Sequence, residues 1–343
     1  NKKSLKKFEI ELGIHHQELG LKWDEPVSED LWATVADYCV NDVNATEVVF
    51  NHLSGDWTAR QILAELSGLT VNDTTNQHST KIIFDSNRNT QNQLVYTDLS
   101  IMFPGYKFEN GKSTYRDINP DNPDPKRREV GEGGFVYAEP GIYTNVALLD
   151  VASMHPTSIE QLNLFGPYTK RFSELKHGRL LIKHEDYDSL GEILDGKLVP
   201  FVPKIKSGDI SPKDLSNALK TVINSVYGLT SAKFENPFRD SRNIDNIVAK
   251  RGALFMIDLK HAVQEKGFKV AHIKTDSIKI PNANQEIIDF IMGFGEKYGY
   301  TFEHEATYDR MCLINDAVYI ARYKDGKHAG EWTATGAQFA QPY

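Results

Sequence analysis

Two short apolar runs, each leading into an aspartate, constrain this chain more than any other feature. Val146-Ala147-Leu148-Leu149 runs into Asp150, and Phe268 to Ile273 leads through Lys274 and Thr275 to Asp276. Runs of this length and composition read as buried strands. Both carboxylates therefore stand at strand ends, where backbone is rigid and water enters. Between them lies Lys220-Thr221-Val222-Ile223-Asn224-Ser225-Val226-Tyr227-Gly228. At about 100° per residue this segment is an amphipathic helix. Leu219, Val222, Ile223 and Val226 cover its packing face, and Lys220, Asn224 and Tyr227 share one narrow stripe. A carboxylate pair suits divalent metals, and a cation, an amide and a phenol in line suit a polyanionic triphosphate, so the conjunction points to phosphoryl or nucleotidyl transfer.

Each part also has a plain structural reading. A strand-end Asp often caps the next turn, as Asp150 would, and Asp276 fits an ordinary hairpin turn between Phe268–Ile273 and Ser277–Ile280. The basic stretch Lys170, Arg171, Lys176, Arg179, Lys183 is, by itself, a solvated helix face. It stands out because the 343-residue chain carries a net charge of -8, the wrong sign for a generic nucleic-acid binder. With 40% hydrophobic and 25% charged residues the chain is neither disordered nor membranous in composition, and a soluble, cytoplasmic protein is expected. Cys39 and Cys312 match no metal spacing and are expected to be buried thiols.

Residues 30–53 read as one helix, in which apolar Leu31, Val35, Tyr38, Val48 and Val49 recur at helical spacing. A second helix is expected at about Thr58–Ser67, after a turn at Ser54-Gly55-Asp56. Residues 72–143, rich in Asn, Asp, Gly and Pro, read as a linker with short strands, including a mobile loop at Asn119–Pro125. Gly131-Glu132-Gly133-Gly134 suggests backbone passing close to another surface or ligand. Asn243–Glu265 reads as a long helix. The first residue, Asn1, and the ending at Tyr343 suggest a piece of a longer chain.

Taken together, these motifs resemble a family B DNA polymerase of the bacteriophage type. Asp150, Ser153, Met154, His155 and Pro156 match the first palm motif, an Asp, two intervening residues and Ser-Leu-Tyr-Pro. Lys220, Asn224, Ser225, Tyr227 and Gly228 match the fingers motif Lys-x-x-x-Asn-Ser-x-Tyr-Gly. Thr275, Asp276 and Ser277 match the third motif, Asp-Thr-Asp-Ser, with Lys274 in place of its first Asp. Gly133-Gly134 followed by Glu139-Pro140-Gly141 resembles the template-contacting linker, and Tyr38 to Asp42 resembles the third exonuclease motif.

The resemblance implies an α+β fold, a right-hand polymerase palm of antiparallel sheet and packed helices with a helical fingers insertion and a partial RNase H-like exonuclease remnant. The implied domains are the end of the 3′–5′ exonuclease domain (1–70), a linker and palm entry (71–144), palm (145–166), fingers (167–239) and palm again (240–343), without a thumb. The implied reaction is template-directed addition of deoxynucleotides to a primer 3′-hydroxyl with release of pyrophosphate. Asp150 and Asp276 would bind two Mg²⁺ ions, with Mn²⁺ as a substitute. Ser153, Met154, His155, Lys220, Asn224 and Tyr227 would hold the nucleotide, His155 standing where the family has its sugar-gating Tyr. Gly133, Gly134, Gly228 and Thr275 would contact DNA. Implied partners are primer–template DNA, deoxynucleoside triphosphates, and processivity or replisome proteins, with no membrane. Exonuclease activity is not expected, since of the carboxylates it needs only Asp42, beside Tyr38, is identifiable. The rival readings are a catalytically silent DNA-binding piece and another palm nucleotidyltransferase such as a reverse transcriptase.

Overall fold

The structure, a computed structural model, describes residues 3–87, 89–115, 128–131 and 133–339. The expected loop at Asn119–Pro125, Glu132 and the last residues of the chain lie outside these. The N-terminal part holds helices α1 (Leu5–Leu12), α2 (Trp32–His52), α3 (Ser54–Ser67) and α4 (Thr75–Phe84), then strands β1 (Lys107–Glu109), β2 (Lys112–Tyr115), β3 (Arg128–Glu129), β4 (Val136–Ala138) and β5 (Gly141–Val151). Helices α5 (Met154–Gln161), α6 (Thr169–Lys183), α7 (Phe201–Ser207), α8 (Pro212–Thr230) and α9 (Ile247–Glu265) follow. The chain continues through β6 (His272–Lys274), β7 (Ser277–Pro281), α10 (Gln285–Glu296), β8 (Phe302–Leu313), β9 (Tyr319–Tyr323) and β10 (Trp332–Thr335).

The main sheet is antiparallel, in the order β10-β9-β8-β5-β7-β6-β4. Strand β5 sits in its middle, and side chains alternate across it. Ala147, Leu149 and Val151 join the large core shared with the helices, whereas Val146 and Leu148 join a smaller core with Tyr308 and Tyr319 on the opposite face. Asp150 continues that second row.

Helix α8 has the expected amphipathic pattern. Leu215, Ala218, Leu219, Val222, Ile223, Val226 and Leu229 are buried, while Lys220 and Asn224 are exposed. Its start is fixed by a capping box between Ser211 and Asp214, with Pro212 in the first turn.

Several expectations need correction. The linker region contains α4, started by a capping box between Thr74 and Gln77, and both α3 and α4 pack on α8. Ser54-Gly55-Asp56 is the first turn of α3 and not a loop. Within α2 only Ala45 is buried, so Val48, at 42% exposure, does not face a core. The long helix begins at Ile247, because Asn246 has a left-handed φ of 54° that interrupts it. Cys39 and Cys312 are both exposed.

Candidate active site

The sheet register brings the two aspartates together. Asp150 pairs across strands with Ser277, the residue after Asp276. The Val151 N–H donates to the Asp276 carbonyl oxygen at 2.9 Å. Asp276 occupies the two-residue turn joining β6 to β7, and Thr275, before it, has φ 57°. A β-branched residue rarely takes that conformation, which persists only where its surroundings enforce it. Here they do: the Thr275 N–H donates to the Phe135 carbonyl at 2.9 Å, and Gly134 lies directly on the Thr275 side chain. A Cβ at Gly134 would stand 2.9 Å from Thr275, so only glycine allows this approach.

Among the described residues, neither the Asp150 nor the Asp276 carboxylate is engaged by a hydrogen-bond donor or an ion-pair partner. Asp150 is half-buried, and its pKa is pushed up to about 7 by burial first, then by the negative charge of Asp276 and Glu305, with Lys279 opposing and Glu303 adding. Glu303 is the β8 partner of Asp150, just past a bulge at Leu148/Leu149. Bulges re-aim side chains beside functional sites, and this one sets two exposed glutamates around the pair. The result is a concentration of negative charge with little to offset it.

The other residues of the first expected motif lie close by. Ser153, in a left-handed conformation with φ 54°, starts α5, so the Ser153–His155 backbone forms a helix N-terminus with unpaired N–H groups. The Met154 side chain is buried against Gly252 of α9, leaving only its backbone for a ligand. His155 lies beside the Gly133 backbone, and its ring lies 4.2 Å from that of Tyr227, centroid to centroid. Burial lowers the His155 pKa, opposed by Asp276, which keeps the imidazole neutral near pH 7. Tyr227 is half-buried, which raises its phenol. Gly228, the next residue, and Gly133 are exposed.

From Tyr227 the stripe of α8 runs back through Asn224 to Lys220, about 10 Å along the axis at 1.5 Å per residue. Asp150, Asp276, Thr275, Gly133, Gly134, His155 and Tyr227 are thus one cluster, and Lys220 and Asn224 extend from it.

Tyr38 and Asp42 do not join this cluster. The Asp42 carboxylate, the one exonuclease-type acid identifiable in the sequence, is not left free. It is partly buried and paired with Lys6 at 2.7 Å, and the same ammonium lies 4.4 Å from the Tyr38 ring centre. The basic stretch on α6 is also largely matched: Lys176 reaches Glu160 at 2.7 Å, Lys170 reaches Glu174 and Arg171 reaches Asp195. Arg179 differs. Its Nε lies 3.4 Å from Ser216 Oγ, one turn before Lys220 on α8, and extends the basic stripe.

Sequence reasoning missed this use of Arg179, together with Glu303, Glu305 and Lys279. The alternation of β7, which puts Ser277 and Lys279 on the Asp150 side, was the available signal. Lysine in a short strand, however, ordinarily means an exposed residue.

No family model matches the chain. It is similar to DNA polymerase 1 of Sulfurisphaera ohwakuensis, with 26% identity over 222 residues, 57% of this chain. The chain spans about a quarter of that relative's length, 25%. Among solved structures it is similar to the family B DNA polymerase from the hyperthermophilic archaeon Pyrobaculum calidifontis, at 15% identity and a TM-score of 0.46, over 97% of this chain and 43% of that one. Neither relative is a phage protein, so the expected phage type finds no support in them. No helix among the described residues is long and apolar enough to cross a membrane.

Proposed function

We propose that this chain is the palm and fingers part of a family B DNA polymerase and that it adds deoxynucleotides to a primer 3′-hydroxyl, releasing pyrophosphate. The observation that carries this reading is the β5–β7 register, which sets Asp150 beside Asp276 at the foot of the Lys220–Asn224–Tyr227 stripe. Similarity to a DNA polymerase supports it.

The donor set fits Mg²⁺. Its ligands would be hard carboxylate oxygens, neither of them in direct ion-pair contact with a cationic side chain among the described residues. No cluster of three or more metal-binding side chains occurs among the described residues, so a cation here would have to take its remaining ligands from substrate phosphates and water. When bound, two such ions supply Lewis acidity to the attacking hydroxyl and to the leaving pyrophosphate. The chain's own groups do the rest. Lys220, with Arg179 alongside, neutralises the triphosphate, and the Ser153 and Met154 backbone donates to it. Asn224 and Tyr227 line the nascent base pair, and His155, packed on Tyr227, limits space at the sugar. Gly133, Gly134, Thr275 and Gly228 form the surface offered to primer–template DNA. Proofreading is not part of this reading, because the Asp42 carboxylate is tied to Lys6.

Primer extension with DNA and RNA templates, with and without Mg²⁺, tests the proposal. Extension on DNA that requires Mg²⁺ is expected. DNA binding without extension favours a silent binding piece, and extension on RNA favours a reverse transcriptase.

Two further outcomes are specific to the geometry. The raised pKa of Asp150 means that its contribution to stability is complete below about pH 4 and is lost as the pH rises through about 7, since folding then buries an ionised carboxylate. Mg²⁺ supplied together with a deoxynucleoside triphosphate should therefore raise the melting temperature more at about pH 8 than at about pH 5.5. An equal effect at both pH values would mean that the ion binds elsewhere. His155→Ala, by opening space beside Tyr227, should raise ribonucleotide incorporation about tenfold relative to deoxynucleotide. An unchanged sugar preference would locate the gate on another residue.

A further inference from the structure

Beneath the carboxylates lies a buried ammonium that the proposed reaction does not use. Lys279 is 3% exposed. It stands on β7 opposite Leu148, two residues along the same sheet face from the Ser277–Asp150 pair, so it lies in the row that carries Asp150. Its cross-strand neighbour on β6 is His272, wholly buried. The hydrogen bonds fix the roles of these groups. His272 Nε2 lies 3.0 Å from the Asp316 carbonyl oxygen, which only accepts, so Nε2 carries the proton. Nδ1 is then an acceptor, and Lys279 Nζ donates to it at 3.2 Å. The Tyr319 ring completes the seat, its centre 5.0 Å from the ammonium.

The charged groups around Lys279 are Asp150, Glu305 and Asp276, with Lys274 of like sign. Among the described residues none of these acids is in ion-pair contact with it. Its charge therefore acts on the cluster through protein of low polarity, where separation weakens a field much less than in water. Burial lowers the Lys279 pKa to about 8, and Asp150 is the first group opposing that shift, so the ammonium form prevails at neutral pH. Burial also lowers His272 to about 4, which keeps it a neutral acceptor.

We propose that Lys279, seated by His272, is an internal counter-ion of the Asp150–Asp276 pair, which weakens the site for free divalent cations so that it fills with metal together with the nucleotide and not before it. The fixed positive charge partly offsets the carboxylates while the site is empty. An incoming triphosphate brings both negative charge and further oxygen ligands, and metal binding then becomes favourable. This rests on the two-carboxylate reading above. Lys279 acts through Asp150 and Asp276 and is a positioning residue.

The test is Mn²⁺ binding to the whole chain at about pH 7 without nucleotide, followed by electron paramagnetic resonance and calorimetry. Removing the ammonium also makes the carboxylates hold protons more strongly, but a divalent ion feels twice the potential change that a proton feels. Lys279→Met should therefore bind Mn²⁺ at least about tenfold more tightly, while Lys279→Arg, which keeps the charge, stays near the wild type. Lys279→Gln, with a polar head for His272, is the second neutral variant if the Met form does not fold. An unchanged affinity in a folded neutral variant, with Asp276→Asn still weakening binding, overturns the counter-ion proposal alone. If Asp276→Asn leaves Mn²⁺ binding untouched, the two-carboxylate reading falls and this proposal with it.

Discussion

Asp276→Asn should lower single-turnover nucleotide incorporation about a thousandfold or more, with the melting temperature almost unchanged. The substitution keeps side-chain volume and removes only charge. The turn that holds Asp276 is built from backbone bonds, its N–H to the Lys274 carbonyl at 2.8 Å and its carbonyl from the Val151 N–H, and these survive the change. Because Asp276 is, after burial, the largest contributor to the raised Asp150 pKa, the variant should also lower that pKa toward the ordinary carboxylate range. A pH titration of the Asp150 carboxyl by NMR reads this independently of turnover. Incorporation within tenfold of wild type at saturating Mg²⁺ would remove the two-carboxylate assignment.

Lys220→Ala should weaken deoxynucleotide binding about a hundredfold while leaving primer–template affinity within about twofold. Loss of a charge-assisted contact to phosphate, roughly 1.5–3 kcal/mol, is of that size. Lys220 is exposed on a helix whose opposite face is packed, so stability should shift by no more than about 0.5 kcal/mol. Pre-steady-state titration of nucleotide separates affinity from rate. A variant that binds nucleotide normally and releases DNA would put Lys220 on the wrong ligand.

What the sequence disclosed and what it hid divide along physical lines. The packing face of α8 and its Lys220–Asn224–Tyr227 stripe were legible, because helical periodicity is local. The strands leading to Asp150 and Asp276 were legible only in outline, since β5 spans Gly141–Val151 and β6 keeps only His272–Lys274 where Phe268–Ile273 was expected, and their pairing rests on register, which is not a local property. Helix α4 was hidden by its polar composition, Thr75-Asn76-Gln77-His78-Ser79-Thr80-Lys81, although Thr74 and Gln77 at capping-box spacing were a usable sign. Asp42 reads as a solvent-facing acid until α1 is folded against α2 and Lys6 meets it. Cys39 and Cys312 were misplaced because small thiols are usually buried, and each lies instead on an outward face of its element. Lys279 could be found only by tracing both of its strand neighbours.

The β5–β7 pairing has a consequence for which sequence changes the chain tolerates. Side chains on β7 alternate strictly, with Ile278 and Ile280 toward the helices and Ser277 and Lys279 toward the site. Insertion or deletion of one residue within Ser277–Pro281 reverses both sets. It would drive the lysine into the hydrocarbon core and lay isoleucines across the carboxylates, ending packing and chemistry in a single step. A substitution that keeps the polarity of its position leaves this alternation intact, whereas a change of length does not. Lineages descended from this chain should vary β7 in letters and never in count.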